Sequence, residues 1–143
     1  MVYLDATFLI PILIPEPASA RVEKAVVSLG GDKAVVSLWT LLECGSAVAR
    51  LVRMRALAAH SARSVLETLD RIVEESFRLL VPDRNDFNTA REMIAQSRWE
   101  LRGGDALHLA IARNHKAERM LTLDAGIIRI AERVGVAVSS AGV

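Results

Sequence analysis

The chain has 143 residues, a length typical of a single domain. Hydrophobic residues make up 52% of the chain and charged residues 24%, which excludes a disordered protein. The formal net charge is only +1, so contact with nucleic acid would have to use a local patch rather than an overall positive field.

The elements predicted along the chain alternate between short apolar strands and helices. In order, they are a strand over 2–4, an apolar segment to residue 14 that Pro15 and Pro17 stop, a helix over 18–29 ending at Gly30-Gly31, a strand over 34–37, helices over 38–55 and 61–75 joined by a hairpin near 58–60, a strand over 77–81, a helix over 85–98 capped by Asp83 or Asn85, a break at Gly103-Gly104, a helix over 105–116, a strand over 119–123, a helix over 125–133 and a strand over 136–138. Pro11 is expected near the start of the first helical segment, where the missing N–H is tolerated.

This alternation predicts an α/β fold in which helices cover both faces of a parallel sheet. The whole chain, residues 1–143, is expected to form one domain. In such folds ligands bind outside the carboxyl ends of the strands, so the residues at that edge are candidates for a functional site.

Four acidic residues are expected at that edge. Asp5 follows the first strand, Asp124 follows the fourth, Asp105 opens the helix that leads into the fourth, and Glu43 lies in the second turn of the helix after the second strand. Helical side chains lean toward the helix N-terminus, which directs Glu43 back to the same edge.

A structural interpretation competes with the functional one. Asp is among the best N-cap residues, and Asp5, Asp105 and Asp124 each precede a helical pattern. Capping does not account for Glu43, nor for the glycine pair before Asp105. If the four acids converge, their mutual repulsion calls for a divalent cation, and carboxylate and water ligands suit Mg²⁺ or Mn²⁺.

Other metal sites and a membrane span are disfavoured. The single Cys44 excludes a disulfide framework and a cysteine-based zinc site, and the three histidines form no ligand-like pair. The longest apolar run, 8–14, is too short to cross a membrane, and the N-terminus lacks the basic region of a signal peptide, so we expect a cytoplasmic protein. The mean hydropathy of +0.29 suggests apolar surface that a partner covers.

Four segments together resemble a known family. They are YLDATFLI at 3–10, SLWTLLECGSAV at 37–48, LRGGDALHLAIA at 101–112 and MLTLDAGI at 120–127. This pattern is similar to the PIN domain, and more narrowly to the VapC toxins of toxin–antitoxin pairs.

The resemblance implies a three-layer α/β/α fold with a central five-stranded parallel sheet, and a Mg²⁺-dependent endoribonuclease in which Mn²⁺ can substitute. By position, Asp5, Glu43, Asp105 and Asp124 match the family's catalytic and metal-binding acids, and Thr7 and Thr122 match supporting hydroxyl residues. It also implies an RNA substrate, a homodimer and a small VapB-like antitoxin that lies across the active-site groove.

Several further residues have two interpretations. Arg50, Arg53 and Arg102 are candidates for RNA phosphate contacts, although a solvated helical face is the usual role of such charges. His108 is expected to be a hydrogen-bonded, partly buried histidine rather than a catalytic one. Trp39 and Trp99 are expected to pack in the core or a dimer interface rather than stack on bases.

Two alternative functions stay open from the sequence alone. One is a PIN nuclease used in RNA processing without a toxin role, which the absence of a neighbouring antitoxin gene would favour. The other is a catalytically inactive, PIN-like interaction module.

Overall fold

The computed structural model describes residues 1–30, 33–96 and 100–142. Three positions with sequence predictions lie outside these residues. They are Gly31 and Arg98, where helices were expected to end, and Trp99, which was expected to pack in the core or a dimer interface. Within the described residues, no helix is both long and apolar enough to cross a membrane.

Five parallel strands form a central sheet, which confirms the predicted fold class. They are β1 (Val2–Leu4), β2 (Ala34–Ser37), β3 (Arg78–Leu80), β4 (Arg119–Leu121) and β5 (Val138–Ser139). Their order across the sheet is β3-β2-β1-β4-β5, with all neighbouring pairs parallel. The chain therefore builds outward from β1 in one direction and then in the other, which makes the β1–β4 junction the switch point where such folds bind ligands.

Helices cover both faces of the sheet. The described residues form α1 (Ala6–Leu13), α2 (Ser19–Leu29), α3 (Leu38–Arg53), α4 (Ala59–Ser76), α5 (Arg84–Gln96), α6 (Gly103–Asn114) and α7 (Ala125–Ala131), the last followed by a 3₁₀ turn at Glu132–Val134. Helices α1 to α4 contribute to one apolar cluster and α5 to α7 to the other.

Alternate residues of a strand face opposite sides of a sheet, and β1 follows this rule. Val2 and Leu4 pack into the cluster of α1 to α4, whereas Tyr3 packs into the cluster of α5 to α7. Because β1 is buried on both faces, its side chains are almost completely shielded from solvent. The residue that follows it, Asp5, is thereby held in a rigid and dry place.

Some predicted boundaries were wrong. The turn between α3 and α4 covers residues 54–58 rather than 58–60, and Arg55 there has a φ of 58°. Asp83 rather than Asn85 caps α5, since its Oδ1 atom accepts the N–H of Asn85 at 2.7 Å. Pro11 is the sixth residue of α1, in the second turn, where it has no N–H to donate, and α1 ends two residues later.

Candidate active site

The carboxyl ends of β1, β2 and β4 form the edge at which the acidic residues were expected. The register pairs Leu4 with Leu121 and Tyr3 with Val35. Asp5 is therefore level with Thr122, one residue beyond the first pair, and with Ser37, two residues beyond the second. All three are buried. The site is therefore anchored on the central strands of the sheet and not on loops.

Asp5 is the most enclosed acidic residue of this edge, at 1% exposure. Its Oδ1 atom accepts the Phe8 N–H at 3.2 Å and so caps α1. Burial raises the pKa of its carboxyl, although the neighbouring His108 and the hydroxyls of Thr122 and Thr7 lower it in part. The sequence could not distinguish capping from a functional role, and the geometry of Asp5 permits both.

Two threonine hydroxyls fasten the segment after β4 to the segment after β1. The Thr7 hydroxyl donates to Asp5 Oδ1 at 2.6 Å and accepts the Leu123 N–H at 2.7 Å. The Thr122 hydroxyl accepts the Asp124 N–H at 3.0 Å. Both threonines thus fix the relative position of Asp5 and Asp124.

Asp124 caps the short helix α7. Its Oδ1 atom accepts the N–H groups of Gly126 at 2.6 Å and Ile127 at 3.0 Å. A Cβ atom at Gly126 would lie only 2.8 Å from that Oδ1 atom, so a glycine is needed for this close cap. Asp124, like Asp5, combines a structural bond with a position at the candidate site.

Asp105 is not the cap of its helix, contrary to the sequence interpretation. Helix α6 begins at Gly103, so the glycine pair forms its first turn and Asp105 is its third residue. A Cβ atom at Gly104 would lie 3.1 Å from both Glu43 Oε1 and the Trp39 ring. The pair therefore permits close approach of α6 to α3, and Asp105 lies inside the first turn of α6 rather than at its cap position.

Glu43 lies in the second turn of α3, as predicted, and contacts α6 directly. Its Oε2 atom is 2.5 Å from His108 Nε2. The Glu43 side chain is 32% exposed, while that of His108 is 1% exposed. His108 is thus a satisfied histidine as expected, but it is fully buried and its partner is one of the four candidate acids.

The negative charges of the candidate acids affect the ionisation of Asp105. Burial raises the pKa of the Asp105 carboxyl, and the negative charges of Asp124 and Glu43 raise it further, while His108 and Arg102 lower it. Within residues 1–30, 33–96 and 100–142, no three His, Cys, Asp or Glu side chains are close enough to hold a metal ion as they stand.

The chemistry of the donors nevertheless fits a hard divalent cation. Asp5, Glu43, Asp105 and Asp124 offer carboxylate oxygens, with the hydroxyls of the two threonines beside them. The repulsion that raises the pKa of Asp105 is what a bound cation would relieve.

The three candidate RNA-binding arginines lie at different distances from the acids. Arg102 immediately precedes α6, is exposed, and lowers the pKa of Asp105. Arg50 and Arg53 lie in the last turn of α3, about 10 and 15 Å along the helix axis from Glu43. Only Arg102 therefore adjoins the acids themselves.

The sequence analysis missed a buried polar network behind the acids. The Tyr3 hydroxyl is 2.8 Å from Ser37 Oγ, 3.2 Å from Thr40 Oγ1 and 2.7 Å from His108 Nδ1. Ser37 and Thr40 also form the capping box of α3. A Ser three residues before a Thr at a predicted helix start was the available signal for that part, whereas the link from Tyr3 to His108 spans 105 positions.

Comparison with known proteins assigns the chain to a family. Residues 2–133 match the model of the PIN domain, and the chain therefore belongs to the PIN-domain family. A search of curated proteins found no match.

Several solved structures share the fold. FitAcB from Neisseria gonorrhoeae is 23% identical, with 99% of each chain covered and a TM-score of 0.80. A structure of FitAB bound to an IR36 DNA fragment is 23% identical, with 97% of this chain and 94% of that chain covered and a TM-score of 0.76. VapC20 from Mycobacterium tuberculosis, described as a sarcin–ricin loop cleaving toxin, is 14% identical, with 95% and 96% covered and a TM-score of 0.72.

Proposed function

We propose that this protein is a metal-dependent endoribonuclease and the toxin of a VapBC-type pair. The observation that carries the proposal is that Thr7 fastens the buried Asp5 to the segment of Asp124, while Glu43 Oε1 lies beside Gly104, next to Asp105, at the switch point of the sheet. Family membership and the similarity to a cleaving toxin agree with this assignment. A ribonuclease of this kind would act in the cytoplasm.

We assign the metal to the four carboxylates. When bound, Mg²⁺ or Mn²⁺ would supply an activated water for attack on the phosphodiester and would stabilise the leaving oxygen. Asp5 and Asp124 already use Oδ1 atoms in helix caps, which hold their carboxylates in fixed orientations. Asp105 and Glu43 would complete the ligand set from α6 and α3.

The backbone and Arg102 supply contacts for phosphate. Helix α6 begins next to Asp105 without a side-chain cap bond from Arg102, and the N-terminal end of a helix favours an anion. Arg102 is the nearest of the candidate arginines and would add a charged contact. Arg50 and Arg53 would contact only a more distant part of the RNA.

Exposed apolar side chains support the expected protein partners. On α3, Leu38 and Leu42 are 45% and 63% exposed and adjoin the turn that carries Glu43. We assign this face to a VapB-like antitoxin, and FitAB, bound to DNA, is a structural relative. A homodimer would cover another exposed apolar region, formed by Leu79, Val81 and Phe87 around the edge strand β3.

A cleavage assay with a matched pair of variants tests the proposal. Asp105→Asn alters a proposed ligand, and Asp70→Asn makes the same change at an exposed position on α4. With labelled single-stranded RNA and Mn²⁺, we expect Asp105→Asn to lose at least about 100-fold in rate because metal ligation supplies several kcal/mol to the transition state. Asp70→Asn should cleave like the wild type.

Two results would contradict the proposal. Unchanged metal-dependent cleavage by folded Asp105→Asn would refute the site assignment. No cleavage by wild-type protein freed from any antitoxin would favour the inactive interaction module. Sequencing of RNA ends after induced expression of the wild type and of Asp105→Asn would identify the target in the cell.

A further inference from the structure

A buried chain of hydrogen bonds ends on the Glu43 carboxylate. Tyr3 is completely buried in β1, and its hydroxyl is 2.7 Å from His108 Nδ1. The other ring nitrogen, Nε2, is 2.5 Å from Glu43 Oε2. Two buried residues therefore stand between the centre of the sheet and a carboxylate that is partly open to solvent.

If the His108 ring is neutral, the donors and acceptors of this hydrogen-bond chain allow only one position for its proton. An ionised Glu43 can only accept, so the proton of His108 must be on Nε2, which leaves Nδ1 as an acceptor. Burial raises the pKa of the Tyr3 phenol, which keeps its proton and donates it to Nδ1. The Tyr3 oxygen can in turn accept from the Ser37 hydroxyl at 2.8 Å.

Packing holds the histidine ring in this orientation. The ring centroid of His108 is 5.7 Å from that of Tyr3 and 6.3 Å from that of Trp39. Because the ring is bonded at both nitrogens and flanked by two aromatic residues, it has little freedom to rotate. The donor that faces Glu43 is therefore preorganised.

The second oxygen of Glu43 lies toward the start of α6. A Cβ atom placed on Gly104 would be 3.1 Å from Glu43 Oε1. Gly104 directly precedes Asp105, whose pKa the Glu43 charge raises. With Oε2 on His108, Glu43 is thus oriented so that Oε1 lies on the Asp105 side.

We propose that His108, fixed by Tyr3, is a positioning residue that holds the Glu43 carboxylate toward Asp105 and thereby sets the affinity of the four acids for a divalent cation. This inference rests on the proposed metal-dependent function. Loss of the hydrogen-bond partner of a metal ligand typically lowers metal affinity 10–100-fold, because the ligand must then be ordered at the moment of binding.

The first test measures the histidine tautomer and needs no metal. In ¹⁵N-labelled protein, long-range proton–nitrogen correlations distinguish the two neutral forms of His108, with His60→Gln and His115→Gln used for assignment. We expect the Nε2–H form in the wild type, and a mixture of forms in Tyr3→Phe, which removes only the phenolic oxygen. An Nδ1–H ring in the wild type would overturn the inference because it cannot donate to Glu43.

The second test measures Mn²⁺ affinity by titration calorimetry on folded variants. We expect His108→Phe to bind Mn²⁺ about 10–100-fold more weakly than the wild type. His108→Gln, which retains an amide N–H at the reach of Nε2, should recover most of the affinity. His60→Gln, at an exposed position, is the matched control and should bind normally.

The outcomes separate this inference from the function on which it rests. Normal Mn²⁺ affinity in folded His108→Phe, with a wild type that binds Mn²⁺, would refute the positioning role and leave the metal site standing. A wild type that binds no Mn²⁺ would refute the metal site and the positioning role together. If His108→Phe does not fold, Tyr3→Phe takes its place, and unchanged affinity there with an unchanged tautomer would refute the inference.

Discussion

Replacement of Thr7 by valine tests whether its hydroxyl joins the segment after β1 to the segment after β4. Valine has nearly the same shape but removes the hydroxyl that donates to Asp5 at 2.6 Å and accepts from the Leu123 N–H at 2.7 Å. A hydrogen bond to a charged group contributes about 1.5–3 kcal/mol, and a buried N–H without a partner costs about 1–3 kcal/mol.

The expected loss of stability lies toward the lower end of the sum of these two ranges. Thr7 and Leu123 are only partly buried, so water replaces some of the lost interaction. We expect Thr7→Val to lower the free energy of unfolding by about 3 kcal/mol, which for a chain of this size corresponds to a Tm lower by roughly 10 °C. Urea unfolding followed by tryptophan fluorescence measures the difference at neutral pH.

The effect should also depend on pH with a definite sign. Burial raises the pKa of Asp5 and the Thr7 hydroxyl lowers it in part by stabilising the ionised form. The contribution of that hydroxyl is therefore present above the folded pKa of Asp5 and is lost as pH falls through it. The difference between wild type and Thr7→Val should narrow accordingly on acidification.

Thr7→Ser is the matched control because it keeps the hydroxyl and loses only a methyl group. We expect it to retain most of the stability. A Thr7→Val protein within about 0.5 kcal/mol of the wild type would refute the reasoning, since surface substitutions without special contacts fall in that range. Equal destabilisation by Thr7→Ser and Thr7→Val would also refute it, because the hydroxyl would then not be the cause.

Four further predictions concern other buried or charged groups and the proposed metal. Without metal at pH 7, Asp105→Asn should be more stable than the wild type, because burial and acidic neighbours raise the pKa of that carboxyl and penalise its ionised form. Solvent screening at this half-exposed position limits the gain in stability to about 1 kcal/mol. In thermal scans this gain should vanish as pH falls toward 3.8, where the carboxyl is protonated. Mn²⁺ at 100 times its Kd should stabilise the wild type by about 2.7 kcal/mol and the variant by clearly less, and equal stabilisation would contradict the metal assignment. Burial raises the pKa of Cys44 to about 12, so a thiol reagent should modify it only after unfolding, and rapid labelling of the native protein would contradict its placement. Asp86→Ala should cost about 2–4 kcal/mol in urea unfolding, because the buried carboxylate accepts from the Asn114 amide at 2.9 Å, whereas Asp70→Ala, on an exposed surface, should lie within about 0.5 kcal/mol of the wild type.

The fold class could be predicted from the sequence because it depends on local patterns of residues. Short apolar runs such as residues 34–37 are bounded by turn or cap residues, and a strand buried on both faces needs apolar side chains throughout. The strand at Ala34–Ser37 was confirmed at both ends, since Ser37 both ends the strand and caps the next helix. The edge strand β3 was placed less well at its ends, because its side chains are mostly exposed and its pattern is weak.

The positions of Asp5 and Asp124 also followed from the sequence. Asp5 directly follows β1 and Asp124 comes three residues after the end of β4, and each directly precedes a helix, so parallel pairing brings both to one edge of the sheet. The sequence alone left their role open, since capping explains each of them equally well. In the structure both residues cap helices and also lie at the edge of the candidate site.

Only the tertiary structure decided what surrounds Glu43 and Asp105. The glycine pair at 103–104 is typical of a break in a chain, yet it opens α6 because α3 lies too close to admit a Cβ atom at Gly104. The contact of Glu43 with His108 joins residues 65 positions apart, and the contact of His108 with Tyr3 joins residues 105 apart. Local sequence determines strands, caps and the edge where acids gather, whereas the partners of a buried side chain depend on how two helices pack across the sheet.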